Sequence, residues 1–184
     1  MLKKIVIFSL MGVGLLLHGE EVKLTNMDFS EGLKDWVNAK MIQIPPERLG
    51  FGIEQVDGKN VLAIVGPAVD GKRGYKTINR HIPKTEQEIR SQTVRLSGEI
   101  KVVKLSGTFN LMVREAGPKG TIRYRKTVIN KWEKPGEWKK ISCSFVAGPP
   151  TKYIQIYLQS GFLAPGDKVY LRNLKLELTP YKRR

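Results

Sequence analysis

In the run "KYIQIYLQS", strand alternation puts Ile154, Ile156 and Leu158 on one side and Tyr153, Gln155, Tyr157 and Gln159 on the other. The second set is chemically unusual for a solvent face, which ordinarily favours Lys, Thr and Glu. Aromatic planes beside side-chain amides suit a sugar, because the rings stack on its C–H faces and the amides hydrogen-bond its hydroxyls. Two further runs extend the set. "FNLMVRE" divides into Phe109, Leu111 and Val113 inward and Asn110, Met112 and Arg114 outward, while "YKTINRHI" buries Ile78 and Ile82 and turns Thr77, Asn79 and His81 out. Asn79, Asn110, Arg114, Tyr153, Gln155, Tyr157 and Gln159 are therefore the candidate ligand contacts, provided that their strands are neighbours in one sheet.

Other chemistries find less support. Glycoside hydrolysis needs two carboxylates across a groove, and no strand carries two acids alternating on one side. His81 has no Asp and Ser context for a triad, and His18 falls in the N-terminal leader-like stretch. The lone Cys143, in "KKISCSFVA", shares a side with Ile141 and Phe145 and reads as a small core residue. Zinc motifs, P-loops and GxGxxG are absent. No catalytic residue is assigned, and the expectation is a protein that binds rather than an enzyme.

The elements that must position these residues are short strands. From residue 50 onward, period-two runs alternate with turn signals, as in "GFGIEQV", "DGKN", "VLAIVG" and in "FNLMVRE", "AGPKG", "TIRYRKTVI", which predicts hairpins. "YKTINRHI", "QTVRLSGEIKVVK", "WKKISCSFVA", "KYIQIYLQS" and "DKVYLRNLKLEL" add strands. In "TVRLSGEIKV", Val94, Leu96, Ile100 and Val102 face a core and Arg95, Ser97, Glu99 and Lys101 face away. Only "TEQEIRSQ" (85–92) offers a helical turn. With a first strand at "VKLT" (22–25) and another near "VNAKMIQI" (37–44), the total is about ten, the spacing of an all-β sandwich or barrel. A chain of 184 residues supports one sizeable core.

At the N-terminus, Lys3 and Lys4 precede an apolar run from Ile5 to Leu17 and small or polar residues around Gly19, the order of a signal peptide over residues 1–19. The run is shorter than the roughly 20 residues of a spanning helix, so no stable membrane span is expected, with retention as an anchor the alternative to cleavage. A secreted, periplasmic or cell-envelope location follows. The remaining domain covers 22–180, ahead of a basic tail at 181–184. Lys and Arg number 32 against 17 acids, a net charge of +15, and removing residues 1–19 takes away only Lys3 and Lys4. Such a cationic exported domain attracts anionic polysaccharides, lipopolysaccharide or anionic membranes by long-range electrostatics, or else simply has a solvated basic surface. Nucleic acid is not an expected partner, because no recognition motif accompanies the charge.

The ordered pieces resemble a known pattern. "NMDFSEGLKDW" supplies Asn26, Asp28, Phe29, Gly32, Leu33 and Trp36 after the first strand, Trp138 precedes "ISCSF", and "VYLRNLKL" (169–176) closes the chain. In this order they are similar to carbohydrate-binding modules of the CenC type. The resemblance implies a two-sheet antiparallel β-sandwich, a jelly roll of the galactose-binding-like kind. It also implies structural packing roles for Trp36 and Trp138, in the core or at its edge. Trp132, in the loop "NKWEKPGEW", could either stack on a ligand or fold back onto the core. Such modules hold a structural calcium between the segment after the first strand and the final strand, through hard oxygen ligands. Carried over, this nominates Asp28, Glu31 and Asn173, with Arg172 standing where an acidic residue is usual.

Two functions are consistent with these readings. One is an exported non-catalytic module that binds a polysaccharide or other glycan, acidic polymers included, on a sheet face. The other is a cell-envelope structural or adhesion protein that uses the jelly roll to hold protein partners. The irregular corner 26–36 serves either: Phe29, Leu33 and Trp36 would plug one end of the sandwich, with Gly32 permitting the turn.

Overall fold

In the computed structural model the described residues are 20–21, 24, 26–38, 46–67, 75–130 and 134–181. The leader-like residues 1–19, residues 39–45 of the second expected strand, Trp132 and the tail residues 182–184 lie outside them. The strands are β1 (Glu20–Glu21), β2 (Val37–Asn38), β3 (Phe51–Val56), β4 (Lys59–Val65), β5 (Tyr75–His81) and β6 (Gln92–Lys104). They continue as β7 (Thr108–Gly117), β8 (Gly120–Asn130), β9 (Trp138–Val146), β10 (Tyr153–Gly161) and β11 (Lys168–Pro180). A 3-10 turn at Pro46–Leu49 and one short helix, α1 (Glu86–Ile89), complete the set. Thr85 and Glu88 cap that helix reciprocally: each backbone N–H is bonded by the other's side chain.

Two antiparallel sheets form the expected sandwich. A six-stranded sheet runs β3, β4, β11, β6, β9, with β1 on β11; a five-stranded sheet runs β2, β5, β10, β7, β8. The first described pairing sets Glu20 and Glu21 against Leu178 and Glu177, so the sandwich starts two residues upstream of the expected boundary at Val22. Of the expected strand 22–25, Leu24 has no regular structure, and Val22, Lys23 and Thr25 lie outside the described residues. The hairpin at "DGKN" is tight, because Asp57 and Gly58 both adopt positive φ between Val56 and Lys59.

Alternation assigns the core as read from the sequence. Val94, Leu96, Ile100, Leu62, Ile64 and Leu171 from one sheet meet Ile78, Phe109, Leu111, Ile154, Ile156 and Leu158 from the other, all buried. Cys143 joins them, and burial pushes its thiol up to about 11, so it stays protonated and inert at neutral pH. In β11 the apolar phase changes from odd to even numbers between Leu171 and Leu174. A bulge at Arg172/Lys175, with Asn173 at positive φ, absorbs the change. Gly98 opposes the bulge, where a Cβ would lie 2.9 Å from Leu174 Cδ2.

The ends of the sandwich are tied by polar side chains. Asp167 is fully buried before β11 and accepts from Ser106 N (2.9 Å), Ser106 Oγ (3.0 Å) and Ala164 N (2.9 Å), locking the β6–β7 turn to the β10–β11 loop. Removing this acceptor leaves two part-buried backbone N–H groups without it. Asp167→Ala is expected to lower the unfolding free energy by about 3 kcal/mol, measured by urea denaturation, with Asp167→Asn losing less.

Candidate functional site

The sheet register brings the sequence-nominated residues together. β5, β10 and β7 are consecutive in the five-stranded sheet, so their outward residues form rows across it. His81, Gln155, Arg114 and Tyr124 make one row; Asn79, Tyr157, Met112 and Lys126 the next; Thr77, Gln159, Asn110 and Val128 a third. Tyr153 begins β10 one step beyond, and its ring lies 5.6 Å from the His81 ring. All the nominated ligand contacts therefore share one outer face. Asn79, Asn110 and Tyr157 are nonetheless buried while pointing away from the core, so the more accessible part of the set is the half-buried Arg114, Tyr153, Gln155 and Gln159.

Arg114 organises the centre. Its Nε donates to Thr121 Oγ1 (2.7 Å), its Nη1 donates to Gln155 Oε1 (2.7 Å), and the guanidinium lies 5.8 Å from the Tyr153 ring centre. The Tyr157 phenol, 3.5 Å from Nη1, stacks edge-on against Tyr124 and is held above its ordinary value by burial, with Arg114 opposing. It therefore remains a neutral donor. Further along, Asn110 Nδ2 donates to Gln159 Oε1 (3.1 Å) and Gln159 Nε2 to Thr77 Oγ1 (3.2 Å). Asn110 Oδ1 is buried with no hydrogen-bond partner.

Tyr124, Thr121 and Lys126 were not legible as members of this face. β8 places Arg123 and Arg125 on its inward side, where Arg123 pairs with Glu115 and packs 5.2 Å from Phe145. With bases on both sides, "TIRYRKTVI" shows no clean parity. Tyr75 and Phe162 were missed too: they stack edge-on at 5.0 Å at the far end of the face. Tyr75 lies over Gly161, where a Cβ would sit 2.6 Å from its ring.

The opposite face of the molecule, on the six-stranded sheet, differs electrostatically. Arg172 bonds Glu99 (2.8 Å) and approaches Asp57 (3.6 Å), Lys168 bonds Glu54 (2.7 Å), and Lys175 approaches Glu177 (3.2 Å). Bonds from Arg172 and Lys168 hold the Glu99 and Glu54 carboxyls below their ordinary values. Trp138 starts the edge strand β9 and is half-buried on this outer face beneath the Arg172 guanidinium, 3.7 Å away, rather than in the core. Trp36 does enter the core, 5.8 Å from the Phe29 ring.

The expected calcium ligands Asp28, Glu31 and Asn173 do line one surface cavity of about 520 Å³, together with Lys175. Their chemistry does not fit a hard dication. Asp28 Oδ1 accepts from Ser30 N and Oγ, Glu31 pairs with Lys34, and Asn173 donates its amide to Glu99. Among the described residues, no group of three or more acidic, His or Cys side chains gathers to hold a metal. The corner is organised by Asn26 instead. Its Nδ2 donates to the carbonyls of Gly32 (3.1 Å) and Lys34 (2.9 Å), and its Oδ1 accepts from Glu31 N (2.9 Å). An uncharged amide thus gathers carbonyls that could otherwise ligate a cation.

No family model matches the chain, and no match was found among curated proteins. Solved structures do share the fold. A Stig cyclase from Fischerella sp. TAU, in complex with (3Z)-3-(1-methyl-2-pyrrolidinylidene)-3H-indole, superposes with a TM-score of 0.69 at 13% identity, covering 90% of this chain and 100% of that one. The xylan-binding family-22 carbohydrate-binding domain from Paenibacillus barcinonensis gives 0.55 at 15% identity, covering 90% and 97%. A family-61 carbohydrate-binding module in complex with β-1,4-galactotriose gives 0.55 at 15%, covering 86% and 98%. These likenesses show a jelly-roll sandwich shared by enzymes and by carbohydrate-binding modules. No CenC-type module stands among them.

If Asn26 does the work of a cation at the corner, chelation should leave the melting temperature unchanged, and calcium should not raise it. Asn26→Ala should cost about 2 kcal/mol in chemical denaturation, because it unties three backbone groups at once.

Proposed function

We propose that this chain is an exported, non-catalytic domain that binds a poly- or oligosaccharide on the outer face of its five-stranded sheet. The observation that supports this reading is the single face shared by Tyr153, Gln155, Arg114, Tyr157, Asn110, Gln159 and Asn79, where aromatic planes lie among hydrogen-bonding amides. On the opposite face Lys168 and Arg172 are paired with Glu54 and Glu99, and the Tyr170 and Trp138 rings lie against these cations. Among the described residues the outer face of the five-stranded sheet carries Arg114 and Lys126 and no carboxylate, which with the net charge of +15 favours an acidic polymer. Export is supported by the leader-like order of residues 1–19, and no helix among the described residues is long and apolar enough to cross a membrane.

The exposed Val37, Val128 and Phe162 rim the same face and favour a second reading, a protein-interaction scaffold of the cell envelope. Catalysis on this face would fall to His81 and the tyrosines, because the carboxylate pair of a glycosidase is not found there among the described residues.

Glycan-array binding followed by affinity electrophoresis of the mature domain separates these readings. At least one neutral or acidic polymer should bind, and Tyr153→Ala should weaken it about tenfold without lowering the melting temperature. Failure to bind any polymer, neutral or acidic, would sink the glycan reading.

A further inference from the structure

The strongest unexplained features of the molecule are two side chains of β7 that face the same way and lack complementary partners. Arg114 is a half-buried guanidinium with neutral neighbours only: Thr121 on Nε, Gln155 and Tyr157 on Nη1, and the Tyr153 ring. Among the described residues, no hydrogen bond reaches its Nη2. On the opposite face, by contrast, Arg172 is satisfied by Glu99 and Asp57. A guanidinium held in a fixed orientation by neutral acceptors presents its remaining donors as a fork, the geometry that fits a planar carboxylate. The second feature is Asn110 Oδ1, an acceptor only 4% exposed at the level of its residue and without a donor. Leaving such an atom unbonded is costly, and a hydroxyl hydrogen would satisfy it once the side chains that cover it shift to admit a ligand.

The spacing of the two adds a constraint. Arg114 and Asn110 are four positions apart on one strand, which places them about 13 Å apart along it. One sugar ring does not span that distance, so a ligand that satisfies both is an oligomer. The row between them carries Tyr157, and Gln155 and Gln159 stand beside Arg114 and Asn110 in their own rows, so aromatic surface and amides line the way. Beyond Asn110, the stacked Tyr75 and Phe162 extend the platform past the end of β10.

We infer that Arg114 is the specificity-determining residue of this face and that its ligand is an acidic glycan whose sugar carboxylate docks on the guanidinium, while a hydroxyl of another ring in the same chain donates to Asn110 Oδ1. This rests on the glycan-binding reading and sharpens it to uronic-acid polymers.

The test uses one polymer in two charge states: oligogalacturonate and the same oligomer fully methyl-esterified, titrated calorimetrically into the mature domain at moderate salt. The acid form should bind about tenfold tighter or more, as expected for a hydrogen bond to a charged group. Arg114→Gln should bring the two affinities together, chiefly by loss from the acid form. Arg114→Lys, which keeps the charge but not the fork, should fall between. Asn110→Ala should lower both forms by a similar factor, since its hydroxyl partner survives esterification. Lys126→Gln, which removes one charge from the same face, should change the acid form less than about threefold. Equal affinity for the two forms in the wild type overturns the inference while leaving glycan binding intact. So does a Lys126→Gln loss as large as that of Arg114→Gln, because a diffuse positive field would then explain the preference. Absence of binding to these oligomers and to every neutral polymer overturns both the inference and the reading beneath it. Melting curves for each variant confirm that losses are not losses of fold.

Discussion

The burial of one apolar face of each sheet against the other governs everything else in this molecule. With side chains alternating at period two, the choice of Ile154, Ile156 and Leu158 for the core leaves Tyr153, Gln155, Tyr157 and Gln159 no option but the outside. A one-residue slip in β10 would drive amides and phenols into the core at a cost of several kcal/mol. The outer face is thus as strictly specified as the core that enforces it. Where the parity must change, in β11, the chain spends a bulge and a left-handed Asn173, and Gly98 makes room for it.

The same constraint produces two outer faces whose charges are arranged differently. On the six-stranded sheet, Arg172, Lys168 and Lys175 meet the Glu99, Glu54 and Glu177 carboxylates, and Trp138 is covered by a guanidinium. On the five-stranded sheet, the described outward residues include cations, phenols and amides but no acid. Charge that is not neutralised within the fold remains available to a ligand, and a partly desolvated site raises what it can contribute. The fold is shared by cyclases and carbohydrate-binding modules alike, so the architecture alone assigns no function.

In the corner 26–36, apolar packing and polar chemistry are carried by different residues. Phe29, Leu33 and Trp36 pack at the sandwich end as their order implied. The polar residues beside them are bonded within the fold: Ser30 donates to Asp28, Lys34 pairs with Glu31, and Asn173 donates its amide to Glu99. Asn26 then holds the loop with a neutral amide. A residue type at the right position nominates a metal ligand, whereas the direction of its lone pairs decides whether it can be one.

The sequence by itself determined the class of fold, the strand positions from Phe51 onward, and which side of β5, β6, β7 and β10 is apolar, because these follow from local alternation and turn chemistry. It also showed Cys143 as core and Asp57-Gly58 as a hairpin turn. It could not show that β5, β10 and β7 are neighbours while β6 belongs to the other sheet, since strand order depends on contacts between segments far apart in the chain. For the same reason only the tertiary structure recruited Tyr124 and Thr121 to Arg114, buried Asn110 without a donor, and set Trp138, expected in the core or at its edge, on the outer side of an edge strand. Alternation is a property of each strand alone; a binding face is a property of their order, and order is settled only when the two layers close on one another.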